Sequence, residues 1–232
     1  MNDKMIRIPY AEEILPVIKN ANEHHMAVLF LLDTSFSMAG KPIEELNLGL
    51  QRFKEQVCLD PITREVLDVA VVEFNSVACV VQPFVPVDCM EPMNLQASGD
   101  TNMEAGLNLA MNMVDQRYRF YKQMGTVPYC PWIIMLTDGF PNDTSFIDEM
   151  ASNILSQDRN DKMRFWSMAV SGANTALLNR LGHGERVLSI KDYNFTSFFD
   201  WLHKSFRKVS SSAVGDIIRL DPLPENVLTA KV

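Results

Sequence analysis

Five oxygen-bearing side chains in three separate stretches set the chemistry available to this chain. Asp33, Ser35 and Ser37 stand in the run Asp33-Thr34-Ser35-Phe36-Ser37, directly after an apolar stretch over residues 26–32. Thr101 closes Ser98-Gly99-Asp100-Thr101, and Asp138 follows a second apolar run, Trp132-Ile133-Ile134-Met135-Leu136-Thr137. Carboxylates and hydroxyls are hard oxygen donors, the kind that Mg²⁺ takes in near-octahedral geometry while keeping several of its waters. Three neutral hydroxyls and two carboxylates give an ion few direct anionic contacts and leave it electrophilic. Its remaining position suits a carboxylate brought by another molecule. Hydrolytic metal centres also need a positioned acid, base or second metal. No His adjoins these stretches, no carboxylate cluster fits two ions, and His24 and His25 precede the first apolar run, at its opposite end from Asp33. The pattern points to gripping, not to catalysis.

Each element also has a local explanation. Thr101 with Glu104 spells a T-x-x-E capping box. Asp138-Gly139 is a turn signal, and Ser35 and Ser37 can bond their own backbone. Their joint placement at strand ends carries the metal reading.

The positioning elements follow from periodicity. Unbroken apolar runs at 26–32, 67–74, 132–137 and 165–170 read as strands buried on both faces, with shorter candidates at 78–82 and 186–190. Between them lie amphipathic helices. One starts at Pro42 with Ile43, Leu46, Leu50, Phe53 and Val57 in steps of three and four; another begins just after Thr101, with Met103, Leu107, Ala110, Met111 and Val114. Further helices are expected at 144–156, 175–181 and 195–210. Strands alternating with helices make an α/β fold, a Rossmann-like doubly wound and mostly parallel sheet of about six strands. Ligands in such sheets collect beyond the carboxyl ends of the strands, where the winding reverses. Asp33 and Asp138 both occupy carboxyl ends.

At 232 residues and 47% hydrophobic content the chain can bury one good core. We expect an N-terminal extension over 1–25, one domain over 26–212 and a C-terminal tail over 213–232. The extension holds either a strand near 6–8 or a short helix after Pro16 (Val17, Ile18, Ala21), and the tail an edge strand at 216–220. A formal charge of −8 and a pI near 5.0 argue against a phosphate-binding surface and hence against nucleic acid. The run Arg117-Tyr118-Arg119-Phe120-Tyr121-Lys122 reads more simply as cations facing a helix C-terminus with rings packed inward. Cys58, Cys79, Cys89 and Cys130 show no metal-ligand rhythm and read as small buried hydrophobes of a reduced protein. No apolar run nears the roughly 18 residues needed to span a bilayer, and charges break up the first residues where a secretory leader is apolar. A cytoplasmic location and no membrane association are expected.

These motifs together resemble a von Willebrand factor A (VWA) domain, whose metal-ion-dependent adhesion site reads D-x-S-x-S, then Thr, then Asp. Asp33, Ser35 and Ser37 match the first part, Thr101 the second and Asp138 the third. Across about 27–210 the chain is most similar to the bacterial TerY-like branch, through Leu31-Leu32-Asp33-Thr34-Ser35, Lys41-Pro42-Ile43-Glu44, Ala97-Ser98-Gly99-Asp100-Thr101, Leu136-Thr137-Asp138-Gly139-Phe140-Pro141-Asn142-Asp143 and Phe198-Phe199-Asp200-Trp201. The resemblance implies a Mg²⁺ or Mn²⁺ ion and a non-enzymatic protein-interaction module that captures an Asp or Glu of a partner. It also implies a role in tellurite resistance or stress response, beside kinase-like and phosphatase-like partners. An adaptor subunit of an AAA+ ATPase or metal chelatase is the alternative; with no GxxxxGK[ST] phosphate loop here, any ATPase activity belongs to the partner. A metal-dependent phosphatase using Asp33 as nucleophile is remote, because Ser35 stands where such enzymes place a second Asp. Phe36 departs from the TerY-like pattern, which has a small Gly there. Its ring either tailors the rim of the site or packs beneath the loop.

Overall fold

Hydrophobic runs of period two and period 3.6 sort this chain into one seven-stranded sheet covered on both faces. The computed structural model describes residues 18–20, 22–170, 172–182, 186–191 and 193–229. The alternatives for 6–8 and for a helix after Pro16 lie outside the described residues, apart from 18–20, which are not helical.

The elements run β1 (Met26–Asp33), α1 (Lys41–Leu59), α2 (Thr63–Val66), β2 (Leu67–Phe74), β3 (Ala78–Pro86), α3 (Met103–Gln123), β4 (Trp132–Thr137), α4 (Ile147–Arg159), β5 (Arg164–Ala169), α5 (Thr175–Leu181), β6 (Val187–Ile190), α6 (Phe195–Ser210) and β7 (Val227–Thr229). Strand order is β3-β2-β1-β4-β5-β6-β7. The five inner strands are parallel, and both edge strands are antiparallel to their neighbours. Winding passes from β1 outward to β2, then returns to β4 on the other side of β1. The reversal therefore falls between β1 and β4, whose register includes Leu32 opposite Leu136.

All eight residues of β1 are buried, and they alternate between two cores. Met26, Val28, Phe30 and Leu32 face α1 and α6, where Phe30 meets Phe53 and Phe199 at ring-centroid distances of 5.2 and 5.6 Å. Ala27, Leu29 and Leu31 face α3, α4 and α5. Burying one such side chain stabilises the fold by about 1.5–3 kcal/mol, so this strand anchors both layers.

Two expectations need correction, and one gains detail. The α/β sheet has the expected build, with the short candidate at 78–82 running on to Pro86 as the hairpin partner of β2 and β7 added at the far edge to make seven strands. No strand forms at 216–220. There Ile218 and Leu220, like Val214 and Leu223, pack their side chains onto the α1/α6 core, and the edge pairing waits until Val227, past Pro222 and Pro224. The cysteines are not buried hydrophobes: Cys79 and Cys89 are exposed, Cys58 and Cys130 only partly covered. Cys79 sits on an edge strand, where alternation turns every second side chain to solvent.

Candidate metal centre

Both oxygens of the Asp33 carboxylate accept a hydrogen bond, which holds it in one orientation. Asp33 is fully buried. Its Oδ1 accepts from the backbone N–H of Ser35 at 2.9 Å, and its Oδ2 accepts from the Thr137 hydroxyl at 2.6 Å. Thr137 Oγ1 in turn accepts from the N–H of Gly139 at 2.9 Å, so its single proton is committed to Asp33. Thr137 ends β4 beside the end of β1, one step past the Leu32–Leu136 pair.

The turn after β1 brings the two serines together. Ser35 Oγ and Ser37 Oγ lie 3.0 Å apart, with Ser35 buried and Ser37 exposed. Within the same turn Met38 points into the core and Phe36 points out, 73% exposed. That exposure decides between the two readings of the Phe36 ring: it stands at the rim and is not packed beneath the loop.

Thr101 reaches the site through a different loop. The Thr101–Glu104 capping box, the local alternative for this hydroxyl, does not form, because Asn102 is the N-cap of α3 and its Oδ1 accepts from Ala105 N–H at 3.1 Å. The Thr101 hydroxyl, freed from capping, has no hydrogen-bond partner among the described residues. Backbone bonds lace this loop to the first: Ser98 N–H donates to Thr34 O at 2.8 Å and Phe36 N–H to Gly99 O at 3.0 Å. Gly99 permits the approach. Its φ is +72°, and a Cβ there would stand 2.5 Å from Ser76 Oγ.

Asp138 follows β4 and is nearly buried, with its Oδ1 accepting from Phe140 N–H at 3.3 Å. Asn142, four residues on, ties this third loop to the second: its Oδ1 accepts from Thr101 N–H at 3.2 Å, and its own N–H donates to Thr101 O at 3.1 Å. The structure thus laces all three loops into one surface at the β1/β4 reversal.

Electrostatics show what the surface lacks. Burial pushes the Asp33 carboxyl above its ordinary pKa, hydrogen bonds from Ser35 and Thr137 pull it back, and the neighbouring Asp138 charge pushes it further up. Among the described residues neither carboxylate forms an ion pair. Two buried acid groups therefore stand near each other without an ion-pair partner among the described residues, beside unengaged hydroxyl capacity. This donor set fits a hard divalent ion. Among the described residues no group of three or more His, Cys, Asp or Glu gathers as a metal site, so a site here depends on hydroxyl ligands.

No protein-family model matches the chain, and no curated protein matches it. Solved structures do match. The vWF domain of the type V pili tip protein Mfa5 from Porphyromonas gingivalis superposes with a TM-score of 0.62 at 12% identity, covering 84% of this chain and 99% of that one. A von Willebrand factor type A structure from Catenulispora acidiphila gives 0.56 at 20% identity, covering 79% of this chain and 43% of that one. The ArnB paralog VWA2 from Sulfolobus acidocaldarius gives 0.51 at 13% identity, over 78% of this chain and 45% of that one. This chain has the VWA fold. It spans less than half of the second and third of these structures, and at such identities the likeness is one of architecture.

Within the VWA fold, three residues that motif reading passed over hold the centre together. Thr137 orients Asp33, Asn142 couples Thr101 to the Asp138 loop, and Asn102 releases the Thr101 hydroxyl. The signal for Thr137 was present: it precedes Asp138 at the last position of an apolar run, so that pairing β4 with β1 sets it beside Asp33. Nothing local in the sequence marks Asn142, whose partner lies 41 residues away.

Proposed function

We propose that this VWA-fold chain is a non-enzymatic protein-interaction module that holds Mg²⁺ or Mn²⁺ through Asp33, Ser35, Ser37, Thr101 and Asp138 and captures an Asp or Glu side chain of a partner protein. The observation that carries the reading is the buried Asp33 carboxylate, clamped by Ser35 N–H and the Thr137 hydroxyl beside Asp138 and facing no cationic side chain. When bound, the ion supplies an electrophilic position for an outside carboxylate. The chain's own residues do the rest. Thr137 and the Ser35 backbone fix Asp33, so little reorganisation accompanies ion uptake. Asn142 keeps the Thr101 loop in place, and burial of Asp33, Ser35 and Thr101 limits competing water. The resemblance of its motifs to the TerY-like branch supports a role for this module in a cytoplasmic stress or tellurite-response system.

The test is Mn²⁺ uptake followed by electron paramagnetic resonance, together with affinity capture in Mg²⁺. Wild-type protein takes up one ion and retains a partner; Asp33→Ala and Thr101→Ala keep the native circular dichroism but lose both, and EDTA reproduces the substitutions. Partner capture that is indifferent to chelator sinks the reading.

A further inference from the structure

The aromatic residues of this protein divide sharply by environment. Among the described residues every Phe, Tyr and Trp is buried or partly buried except two, Phe36 at 73% and Phe140 at 56% exposure. Both stand on the loops that carry the metal-facing groups. Phe36 separates Ser35 from Ser37, whose hydroxyls lie 3.0 Å apart, and Phe140 donates its backbone N–H to Asp138 Oδ1 at 3.3 Å. Neither ring joins either hydrophobic core. Exposed apolar side chains scattered singly need no explanation, but two rings confined to one site mark a contact surface.

Charge on the same loops narrows what fits. Asp100 and Asp143 on these loops, and Glu44 and Glu104 in the first turns of the helices that follow two of them, are exposed, against Lys41. Backbone and side-chain hydrogen bonds from Ser145 hold the Asp143 carboxyl below its ordinary pKa, so it stays charged. An acidic partner residue approaching this rim meets repulsion unless the flanking residues are basic.

We propose that Phe36 and Phe140 are apolar shelves beside the metal centre, selecting a protein segment in which the captured Asp or Glu is flanked by bulky apolar residues and then by Lys or Arg. The inference rests on the metal-capture reading above and adds the sequence class of the partner. Two side chains flanking an acidic residue cover the rings as the carboxylate reaches the ion, and the apolar area removed from water favours such a segment over a polar one. The acidic outer rim then faces the segment's cations.

Short acetylated and amidated peptides test it directly: Lys-Leu-Asp-Leu-Lys, Lys-Ser-Asp-Ser-Lys and Glu-Leu-Asp-Leu-Glu, each titrated calorimetrically into Mn²⁺-loaded protein. The first is expected to bind about tenfold tighter than the second, equivalent to about 1.4 kcal/mol. It also binds more tightly than the third, with a margin that narrows in high salt. In Phe36→Ser/Phe140→Ser the preference over the serine peptide falls below about twofold, while Mn²⁺ uptake is unchanged because neither ring offers a ligand. Equal binding of the leucine and serine peptides, a preference that survives the double substitution, or no binding of any peptide by loaded protein overturns the proposal. Mn²⁺ uptake, measured separately by electron paramagnetic resonance, distinguishes these results from failure of the metal reading itself.

Discussion

Thr137 has one proton to give, and its geometry gives it to Asp33. Replacing it with valine keeps the shape and removes the donor, leaving Asp33 with its Ser35 contacts alone. Since partners that orient metal ligands are worth about 10–100-fold in affinity, Thr137→Val should weaken Mn²⁺ binding by at least about tenfold with an unchanged circular dichroism spectrum. A titration showing wild-type affinity would remove Thr137 from the site. The cysteines provide a second test at this scale. Burial raises the Cys130 thiol to about 11, which leaves on the order of 0.1% thiolate at pH 8, whereas Cys79 is exposed. Iodoacetamide at pH 8 should therefore label Cys79 well before Cys130, as read by peptide mass spectrometry. Of the proposed site, five oxygen-bearing side chains can be picked out from residue type and order alone, and the structure sets them on loops bonded to one another. Their supporting partners were not. Asn142 bonds across 41 residues and Thr137 across 104, and no local spacing encodes contacts that only strand pairing creates.

Helix α3 shows how an element can be read correctly in outline and wrongly in detail. Its apolar face packs as the periodicity predicts, but Arg117 does not serve the helix terminus. It is buried and donates to Asp68 Oδ2 at 2.8 Å, where Tyr121 Oη also donates, at 2.5 Å, and His25 Nδ1 lies 3.4 Å away. A charge this deep needs partners from other elements, and the run Arg117 to Lys122 carries no sign of an Asp 49 residues upstream. Arg119, paired with Asp115 four residues back at 2.8 Å, and Lys122, exposed in the last turn over the Tyr118 ring, do behave as surface cations. Burial pushes the Asp68 carboxyl up, but His25, Arg117 and Tyr121 outweigh burial and hold it below its ordinary value. A carboxylate depressed in the folded state contributes stability above its unfolded pKa, about 3.9, and loses it as pH falls toward the folded value. Urea midpoints should drop between pH 7 and pH 3, and the drop should shrink in Asp68→Asn. Asp68→Ala at pH 7 removes the carboxylate shared by His25, Arg117 and Tyr121 and should cost up to about 3–5 kcal/mol. The tail after α6 is a second element whose role exceeded its sequence signal. Trp201 Nε1 donates to Asp221 O at 2.9 Å, Lys208 pairs with Asp221, and β7 closes the sheet edge against β6. Its apolar residues are too few and too irregular to predict that anchoring, whereas the inner strands, buried on both faces, announce themselves as unbroken runs.

At the scale of the whole molecule, β1 joins two ends with opposite electrostatics. Its amino end abuts the ion-paired cluster of His25, Asp68, Arg117 and Tyr121; its carboxyl end presents Asp33, whose pKa is raised by burial and by Asp138. A carboxylate raised in the folded state contributes fully below its unfolded pKa and loses that contribution as pH rises through the folded one, so metal-free protein at neutral pH carries a destabilised upper end. An ion bound only by the folded state reverses this. At about 100 times its dissociation constant it adds about 2.7 kcal/mol, or roughly 5–10 °C in Tm for a domain of this size. Mn²⁺ should therefore raise the Tm of the wild type by that amount, EDTA should abolish the gain, and Asp33→Asn should show no response while starting from a metal-free Tm no lower than the wild type's. Identical melting curves with Mn²⁺ and with EDTA would end the argument. Hydrogen exchange should place the gain in space. The loops at 34–40, 96–102 and 138–143 are bonded to one another through Thr34–Ser98, Phe36–Gly99 and Thr101–Asn142, so an ion that fixes one must slow exchange in all three. The opposite end, with Asp68 already paired, has nothing to gain, and its amides should exchange at the same rate with or without the metal.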